Sequence, residues 1–478
     1  MVIESILGEF GDEIKKISPK LEDQLKDTFG FSVIEQTVAK ILNQFAARIL
    51  EKIVTDFLND LTVLSVLKQI GGRIAMRYKE HRAVTIYLYN GQSIEVYSPY
   101  FVKVQSKRRK KKRGPNGTGR HVGLDVIGFV GHGSGNFVSE VVKLALLCPS
   151  LEVAREVLSE RGIRIDVKTI RKYCRDLGML GLEHRGEISV DGREELEGHT
   201  LVIGIDGGRL RERKKKRGKR KEGQKRQGYT TEWREPKLFT MYVLNSERKV
   251  VKEFRPIHDA TMGDADGVFD ILQKYIDALD IGKVERMVFC GDGATWIWRR
   301  VEALIEKLGV EKARTYQVID YTHAKQNLRK IAELIPDRDE KRERAYRKWK
   351  KLLWEGDIEA IHESICKNLQ GKKKGRGMKK WNEYFHANQK RMQYAHFKEN
   401  NIPCGSGSVE SAIRRVINLR LKSAGIFWKR DMAEYFLFLR SQLLSKRWRI
   451  FITNVTCRLE KLSRDPPNPG SLPDDQAA

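Results

Sequence analysis

The sequence predicts an α/β protein with a mixed five-stranded sheet in its second half and mainly α-helical regions before it. Three observations predict this class. Up to about residue 80, apolar side chains recur at helical spacing. After about residue 200, apolar runs of strand length alternate with amphipathic helical stretches. A highly charged helical segment at about 337–400 interrupts this second half, which indicates an insertion into the sheet domain.

The composition favours a globular protein that binds polyanions. The 478 residues suffice for two or three domains, and 91 Lys and Arg against 63 Asp and Glu give a formal net charge of +28. This surplus suits a phosphate backbone, whereas no apolar run is long enough to span a bilayer. We expect no signal peptide. The six cysteines are scattered without a CxxC pair, which is typical of a reducing compartment and offers no zinc site. We therefore expect a cytoplasmic, nucleoid-associated protein without a membrane partner.

The first 120 residues divide into a helical region, 1–80, and a β-hairpin with a basic arm, 81–120. The stretch VIEQTVAKILNQFAARILEKIVTDFL has helical apolar spacing, and we expect its amphipathic helices to mediate self-association. In VTIYLYNGQSIEVYSPYFVKV, β-branched and aromatic residues alternate around Asn90 and Gly91, a strong hairpin signal. The basic, Gly-rich stretch SKRRKKKRGPNGTGR follows as a solvated arm.

Residues 121–195 predict a helix-turn-helix-like DNA-binding domain. Two amphipathic helices, in NFVSEVVKLALLC and SLEVAREVLSERG, precede DVKTIRKYCRDLG, in which Asp166 is a good N-cap. The last helix of such a motif lies in the major groove. Here it offers Lys168, Arg171, Lys172 and Arg175. A plain helical hairpin whose charges face water is an equally good interpretation, because the motif is short and degenerate.

The predicted catalytic domain, 196–448, has the element order β-β-β-α-β-α-β-α. We expect its strands in TLVIGIDGGRL, EPKLFTMYVLN, KVVKEFRPIH, VERMVFCGDGA and ARTYQVIDYTHA. This order is that of the ribonuclease-H-like sheet, in which the first strand lies beside the fourth and a late helix approaches from the side. The remaining tail, 449–478, ends in a Pro-rich polar segment that we expect to be disordered.

Three acidic residues fall where such a sheet brings carboxylates together. Asp206 ends the first strand, Asp292 follows the fourth, and Glu410 lies on the late helix. Phosphodiester cleavage and transfer use two divalent ions about 3.5–4 Å apart, and Mg²⁺ prefers carboxylate oxygens. The conjunction predicts that all three acids are catalytic and hold two Mg²⁺ or Mn²⁺ ions. Each acid alone has a plainer interpretation, as a turn residue or an acid in the first turn of a helix.

Four segments of the second half resemble a family of bacterial and archaeal insertion-sequence transposases of the DDE superclass. They are IGIDGGRL (203–210), CGDGATWIW (290–298), VIDYTHAKQNL (318–328) and GSGSVESAIRRVINLRLKSAGIFW (405–428). The similarity covers roughly 120–448. It implies metal ligands at Asp206, Asp292 and Glu410, a ribonuclease-H-like catalytic domain, and cleavage and joining at transposon ends. Related sequences often have a CxxC-type segment after the N-terminal hairpin, where this chain has KRRKKKRG.

Other residues beside these acids are candidates for supporting roles. We expect Asp320 and His323, after the fifth strand, to orient Asp292, a metal-bound water or the scissile phosphate. The alternative is a capped helix start with a hydrogen-bonded His. Arg414 and Arg415 follow Glu410 by one turn and suit a phosphate, although Arg414 is equally placed for an ion pair with Glu410.

Further DNA-binding candidates flank the two Asp residues. The basic run RLRERKKKRGKRKEGQKRQG is interpreted as a flexible arm that tracks DNA through its phosphates, although most basic runs are merely solvated. Its candidates are Arg209, Arg211, Lys214, Lys215, Lys216 and Arg217. After Asp292, Trp296 or Trp298 is placed to stack on an unpaired base, and Trp298 is the preferred candidate, although core packing is the favoured alternative.

The sequence therefore predicts a DDE transposase that cuts double-stranded DNA at transposon ends and transfers the strand into target DNA, as a homodimer or larger oligomer. Two alternatives stay open. One is a structure-selective nuclease of the same fold that hydrolyses without strand transfer. The other is a DNA-binding regulator derived from a transposase, in which the acids serve only as turns and caps; the three intact acids count against it.

Overall fold

A computed structural model of the chain describes residues 2–24, 26, 30–104, 119–186, 190, 192–216, 218, 223, 227–336 and 338–457. The chain forms two compact units. The first comprises Met1–Leu180 and Arg449–Ala478, and the second comprises Gly181–Trp448. Among the described helices, none is both long enough and apolar enough to cross a membrane.

The first unit begins with three helices and a two-stranded antiparallel sheet. These are α1 (Val2–Gln24), α2 (Gly30–Asn59), α3 (Leu61–Arg73), β1 (Met76–Tyr87) and β2 (Ser93–Lys103). The hairpin turns at Gly91, whose φ of +81° suits a residue without a side chain. It confirms the predicted hairpin, although β1 starts eight residues before the predicted run. The basic arm between 105 and 118 lies outside the described residues.

Four helices follow in the first unit, and a fifth comes from the C-terminal part of the chain. They are α4 (Val122–Val126), α5 (Gly135–Leu147), α6 (Leu151–Glu160), α7 (Val167–Glu183) and, after the second unit, α18 (Trp448–Thr456). The predicted helices α5, α6 and α7 are present, and Ser134, Ser150 and Asp166 accept backbone N–H groups at their starts. The Pro-rich segment 463–478, predicted to be disordered, lies outside the described residues.

The described residues of the second unit contain seven strands. They are β3 (Thr200–Gly207), β4 (Leu210–Lys215), β5 (Tyr229–Arg234), β6 (Lys237–Leu244), β7 (Ile257–Thr261), β8 (Arg286–Gly291) and β9 (Thr315–Ile319). Five of them form one sheet in the order β7-β6-β3-β8-β9, in which β3, β8 and β9 are parallel and β6 and β7 antiparallel to their neighbours. The first strand of the sheet thus lies beside the fourth in sequence. The predicted mixed five-stranded, ribonuclease-H-like arrangement is confirmed.

Helices cover this sheet and form the insertion. They are α8 (Ala265–Asp277), α9 (Thr295–Leu308), α10 (Tyr321–Ala332), α11 (Asp339–Glu355), α12 (Ile358–Asn368), α13 (Gly371–Lys380), α14 (Tyr394–Glu399), α15 (Gly407–Ile413), α16 (Leu419–Leu421) and α17 (Arg430–Leu444). The predicted helical insertion is therefore present as α11 to α14, with a π-helical turn at Trp381–His386. A second π-helical turn, Arg414–Asn418, follows α15. Both faces of β3 and β8 are buried in the core of the second unit, which explains the continuous apolar runs of these strands.

Two segments of the second unit differ from their prediction. The third strand of the sheet begins at Ile257 and not near 249. Pro256 precedes it and has no N–H to give to a ladder, so the regular pairing with β6 starts only after that residue. The basic run after Asp206 was predicted to be a flexible arm. Its described part instead forms an antiparallel ribbon of β4 and β5.

Candidate active site

Three aspartates end three adjacent parallel strands at one edge of the sheet. In the register, Ile205 is paired with Gly291, and Gly291 with Ile319. The next residue on each strand is an aspartate: Asp206, Asp292 and Asp320. Residues at one register position share a face, and neighbouring strands lie about 4.8 Å apart. The strand register therefore places the three aspartates at the ends of neighbouring strands.

The pKa of Asp206 is raised above the usual value of an aspartate. Burial raises its pKa to about 6, and the negative charge of Asp292 contributes to the rise. A hydrogen bond of 2.6 Å from the backbone N–H of Gly207 and the nearby imidazole of His323 act in the opposite direction. Asp206 thus interacts electrostatically with both Asp292 and His323.

Asp292 is fixed by the start of α9. Its Oδ1 accepts the backbone N–H of Ala294 at 2.9 Å, and its carbonyl accepts the indole N–H of Trp298 at 2.7 Å. Between them, Gly293 packs against the ring of Tyr384, so closely that an added Cβ would lie 2.1 Å from a ring carbon. The insertion therefore contacts the loop that carries Asp292.

Asp320 is 1% exposed and links the end of β9 to the segment before α15. Its Oδ1 accepts the backbone N–H of His323 at 2.7 Å, and its Oδ2 accepts the backbone N–H of Ser406. The hydroxyl of Ser406 lies 3.5 Å from Oε1 of Glu410. Through these two backbone hydrogen bonds Asp320 holds the end of β9 and the segment before α15 together.

Glu410 reaches this edge because α15 packs directly on β3. A Cβ at Gly204 would lie 3.0 Å from Cβ of Val409, so the bare glycine permits this close approach. The ligand atoms of Glu410, Asp320 and His323 all lie within 4.8 Å of one another. Carboxylate oxygens suit Mg²⁺ or Mn²⁺, whereas imidazole nitrogen is more typical of transition metals.

The geometry differs in one respect from the predicted ligand set. Glu410 is grouped with Asp320 and His323, whereas Asp206 is coupled to Asp292 and His323. His323 is common to both groups, and its Nδ1 is buried without a hydrogen-bond partner among the described residues. An imidazole nitrogen in this position is a fitting metal ligand, a role that the sequence did not predict for His323.

Sequence reasoning also missed two residues. Ser406 lies in the GSGS segment directly before the helix of Glu410, and this sequence position is the signal that could have identified it. Tyr384 lies in the insertion. Burial raises the pKa of its hydroxyl, and the carboxylates of Asp292 and Asp320 raise it further. Its position could not be inferred, because the amphipathic pattern of an inserted helix does not specify which surface it covers.

The cations predicted to bind DNA lie in three places. On α7, Lys168, Arg171, Lys172 and Arg175 are exposed, but the last two form ion pairs with Asp176. On the ribbon and beside it, Arg209, Lys214, Lys215 and Lys216 are exposed and Arg211 is half-buried, while Lys214 pairs with Glu232 at 3.0 Å. Arg217 lies outside the described residues.

Three candidates near the acids have other contacts. The indole of Trp298 is buried under the guanidinium of Arg391, which favours the alternative of core packing over stacking on a base. Arg414 is exposed and, within the described chain, forms no ion pair with Glu410. Arg415 lies 3.5 Å from Nε2 of His258, whose pKa burial lowers to about 4 with a contribution from the arginine's charge.

Comparison with known proteins adds little to this geometry. No protein-family model matches the chain, and no curated protein shows significant sequence similarity to it. Among solved structures, the chain is similar to a chain of the Drosophila P element transposase strand transfer complex, with 11% sequence identity and a TM-score of 0.24. The alignment covers 68% of this chain and 83% of that chain. A likeness this weak establishes neither fold nor function, and the fold assignment rests on strand order and register.

Proposed function

We propose that the chain is a metal-dependent DNA-cleaving enzyme, and specifically a DDE transposase that joins the cleaved end to target DNA. One observation carries this proposal. The adjacent parallel strands β3, β8 and β9 end in aspartates at the same register, and α15 brings Glu410 to the same edge. Acids that serve only as turns have no reason to be gathered at one edge with an imidazole nitrogen that is buried without a hydrogen bond and lies 3.7 Å from Oδ1 of Asp320.

In this proposal Asp206, Asp292 and Glu410 bind two Mg²⁺ or Mn²⁺ ions, with His323 as an additional candidate ligand. Bound there, the ions would activate the attacking oxygen and stabilise the leaving oxygen. Asp206 must release its proton first, because only the carboxylate is a good ligand. Asp320 positions His323 and the start of α15 through its two backbone hydrogen bonds. Tyr384 packs against the loop of Asp292.

The proposed partner is double-stranded DNA, at transposon ends and at the target. The net charge of +28 supports it, as do the exposed cations Lys168 and Arg171 on α7 and those of the ribbon. A homodimer or larger oligomer is part of the proposal, because both ends of an element must be held together for joining. The resemblance to insertion-sequence transposases supports the same function.

The experiment that tests this function is cleavage of a duplex that carries the gene's own flanking sequences, with and without Mg²⁺ or Mn²⁺. Wild type is compared with Asp292→Asn, which keeps the size of the side chain and removes its charge. We expect nicking at the end boundary that requires metal and is lost in the variant. Joining of the 3′ end to a supercoiled plasmid then separates a transposase from a nuclease. If wild type binds the duplex tightly and never cuts it with either metal, the catalytic proposal is wrong.

A further inference from the structure

The two faces of the ribbon formed by β4 and β5 have opposite chemistry. Residues that are directly opposite in an antiparallel pair point to the same face. One face carries the pairs Arg211 with Trp233, Arg213 with Thr231, and Lys215 with Tyr229. This face, called the aromatic face below, has three cations, two large rings and no acid. The other face carries the pairs Leu210 with Arg234, Glu212 with Glu232, and Lys214 with Thr230.

The acids of the ribbon are neutralised on its other face. Arg234 donates to Glu212 at 2.9 Å and to Glu232 at 2.6 Å. Lys214 donates to Glu232 at 3.0 Å. Leu210 and Glu212 are buried, so the base of this face packs against the protein, whereas Lys214, Thr230 and Glu232 are exposed. The positive charge of the aromatic face therefore has no internal counter-charge on the ribbon itself.

The rings of the aromatic face are exposed and flanked by guanidinium groups. Trp233 is 52% exposed and Tyr229 47%. The guanidinium of Arg211 lies 5.6 Å from the ring centre of Trp233 and 4.6 Å from that of Phe427. That of Arg213 lies 6.0 Å from the ring centre of Tyr229, and Tyr229 also packs on Phe427, with ring centres 5.7 Å apart. Arg209 also lies over the indole, at 5.2 Å. Within the described chain, no carboxylate pairs with Arg209, Arg213 or Lys215.

We propose that the aromatic face binds unpaired nucleobases of a single-stranded DNA segment. Trp233 and Tyr229 stack on bases, and Arg211, Arg213 and Lys215 neutralise the phosphates. Exposed rings interleaved with cations are the combination that single-strand binding uses, since every base has a flat face. The two rings are four residues apart on β5, about 13 Å along the strand, so each takes a separate base.

This inference rests on the proposed function, because it assigns the frayed or displaced strand of the DNA substrate to the ribbon. β4 begins at Leu210, shortly after Asp206, and the N–H of Gly208 donates to the carbonyl of Pro236 at 2.8 Å, which closes the base of the ribbon. The ribbon that would hold the DNA strand is therefore joined by a short, hydrogen-bonded connection to the end of β3, which carries Asp206.

The test is equilibrium binding of the full-length protein in EDTA, followed by fluorescence anisotropy. Three labelled DNAs are compared: an oligothymidylate, an abasic strand of the same length and charge, and a blunt duplex. We expect wild type to prefer oligothymidylate to the abasic strand. Trp233→Leu should weaken binding of oligothymidylate by roughly 5- to 100-fold and leave the other two within about twofold of wild type. Trp233→Phe, which keeps a flat ring, should retain most of the preference.

Two matched controls accompany this test. Tyr89→Leu removes another exposed ring, 62% exposed in the first unit, and should leave all three affinities unchanged. The double substitution Arg213→Ala with Lys215→Ala should weaken binding of all three DNAs, because it removes phosphate contacts alone. Melting temperatures of the variants show whether each still folds.

The proposal is overturned if wild type binds the abasic strand as tightly as oligothymidylate. It is equally overturned if Trp233→Leu weakens all three DNAs to the same degree. Because binding is measured without metal, these outcomes are independent of cleavage. A protein that prefers unpaired bases but never cuts would contradict the proposed function and leave the ribbon's role standing.

Discussion

The buried carboxylate of Asp320 accepts the backbone N–H of Ser406, and this bond joins the end of β9 to the start of α15. Helix α10 and the insertion, α11 to α14, lie between Asp320 and Ser406 in the chain. The two ends of this stretch therefore meet at one side chain. Since Asp320 also accepts the N–H of His323, one carboxylate sets the positions of two candidate metal ligands, His323 and Glu410.

Asp320→Asn should impair metal use more than DNA binding. The amide keeps one carbonyl acceptor and turns an N–H₂ group towards the second backbone N–H, which loses its acceptor. We expect the Mg²⁺ concentration for half-maximal cleavage to rise roughly 10- to 100-fold, with duplex affinity unchanged. A titration of the cleavage rate with Mg²⁺ measures this.

The matched control is Asp264→Asn. Asp264 also accepts a backbone N–H, from Gly267 at 2.9 Å at the start of α8, and Asn is an equally good cap there. This control should behave as wild type. An Asp320→Asn protein with the Mg²⁺ dependence of wild type would show that the hydrogen bond to Ser406 does not position the site.

The raised pKa of Asp206 predicts how activity depends on pH. Burial raises this pKa to about 6, with a contribution from Asp292. Because the carboxylate and not the acid binds metal, the cleavage rate at limiting Mg²⁺ should rise as the pH passes through about 6. Higher Mg²⁺ should move the midpoint to lower pH, since metal and proton compete for the same oxygen atoms. A midpoint that does not depend on Mg²⁺ would contradict this assignment.

In EDTA, the same raised pKa predicts that the protein becomes less stable as the pH rises, whereas its cleavage rate with metal increases. The folded state binds the Asp206 proton more tightly than the unfolded chain, whose Asp pKa is about 3.9. This contribution to the free energy of unfolding is present below about pH 4 and lost as pH rises through about 6. It amounts to at most about 3 kcal/mol. Urea unfolding between pH 4 and 7 should show the loss in wild type and not in Asp206→Asn. Equal pH slopes in the two proteins would contradict the prediction.

The packing of α15 on β3 predicts the effect of a single added methyl group. In Gly204→Ala the new Cβ would lie 3.0 Å from Cβ of Val409 and 3.1 Å from Cγ2 of Thr240, so α15 must move by a few tenths of an ångström. We expect cleavage to fall about tenfold, because small displacements of catalytic groups are costly, and stability to fall by about 1–2 kcal/mol. Gly407→Ala is the control on the same helix, since nothing lies within 4 Å of its added Cβ. If both variants cut at the wild-type rate, the position of Glu410 does not depend on this contact.

The sequence predicted the centre of the sheet well for a physical reason. A central parallel strand is buried on both faces, so β3 and β8 are continuous apolar runs, and the polar residue that ends each run marks the edge of the sheet. The same logic located Asp206, Asp292 and Asp320. The start of β7 was wrong because Val250 and Val251 pair with β6 only through an isolated bridge to Leu244 and one hydrogen bond to Val243, and the regular ladder begins at Ile257.

The ribbon and the insertion were less predictable, because tertiary contacts decide their structure. The residues of β4 alternate in charge and not in hydrophobicity, and their register is fixed by pairs such as Arg234 with Glu212, which are far apart in sequence. Tyr384 approaches Asp292 and Asp320 only because the insertion folds back onto the sheet edge. No local pattern in the insertion specifies that return.

A buried network of ion pairs lies in the second unit, and we expect a substitution that breaks it to cause the largest loss of stability among the variants discussed. The guanidinium of Arg185 donates to Asp259 at 2.6 Å and to Glu434 at 3.0 Å, and Asp259 is fully buried. Arg185→Met leaves two carboxylates without their cation. Removal of one partner from such a network destabilises by about 3–5 kcal/mol, and urea unfolding of the second unit should show it. Arg300→Met breaks an exposed pair with Asp266 and should cost less than about 1 kcal/mol. If both variants lose the same small amount, the Arg185 network is not a determinant of stability.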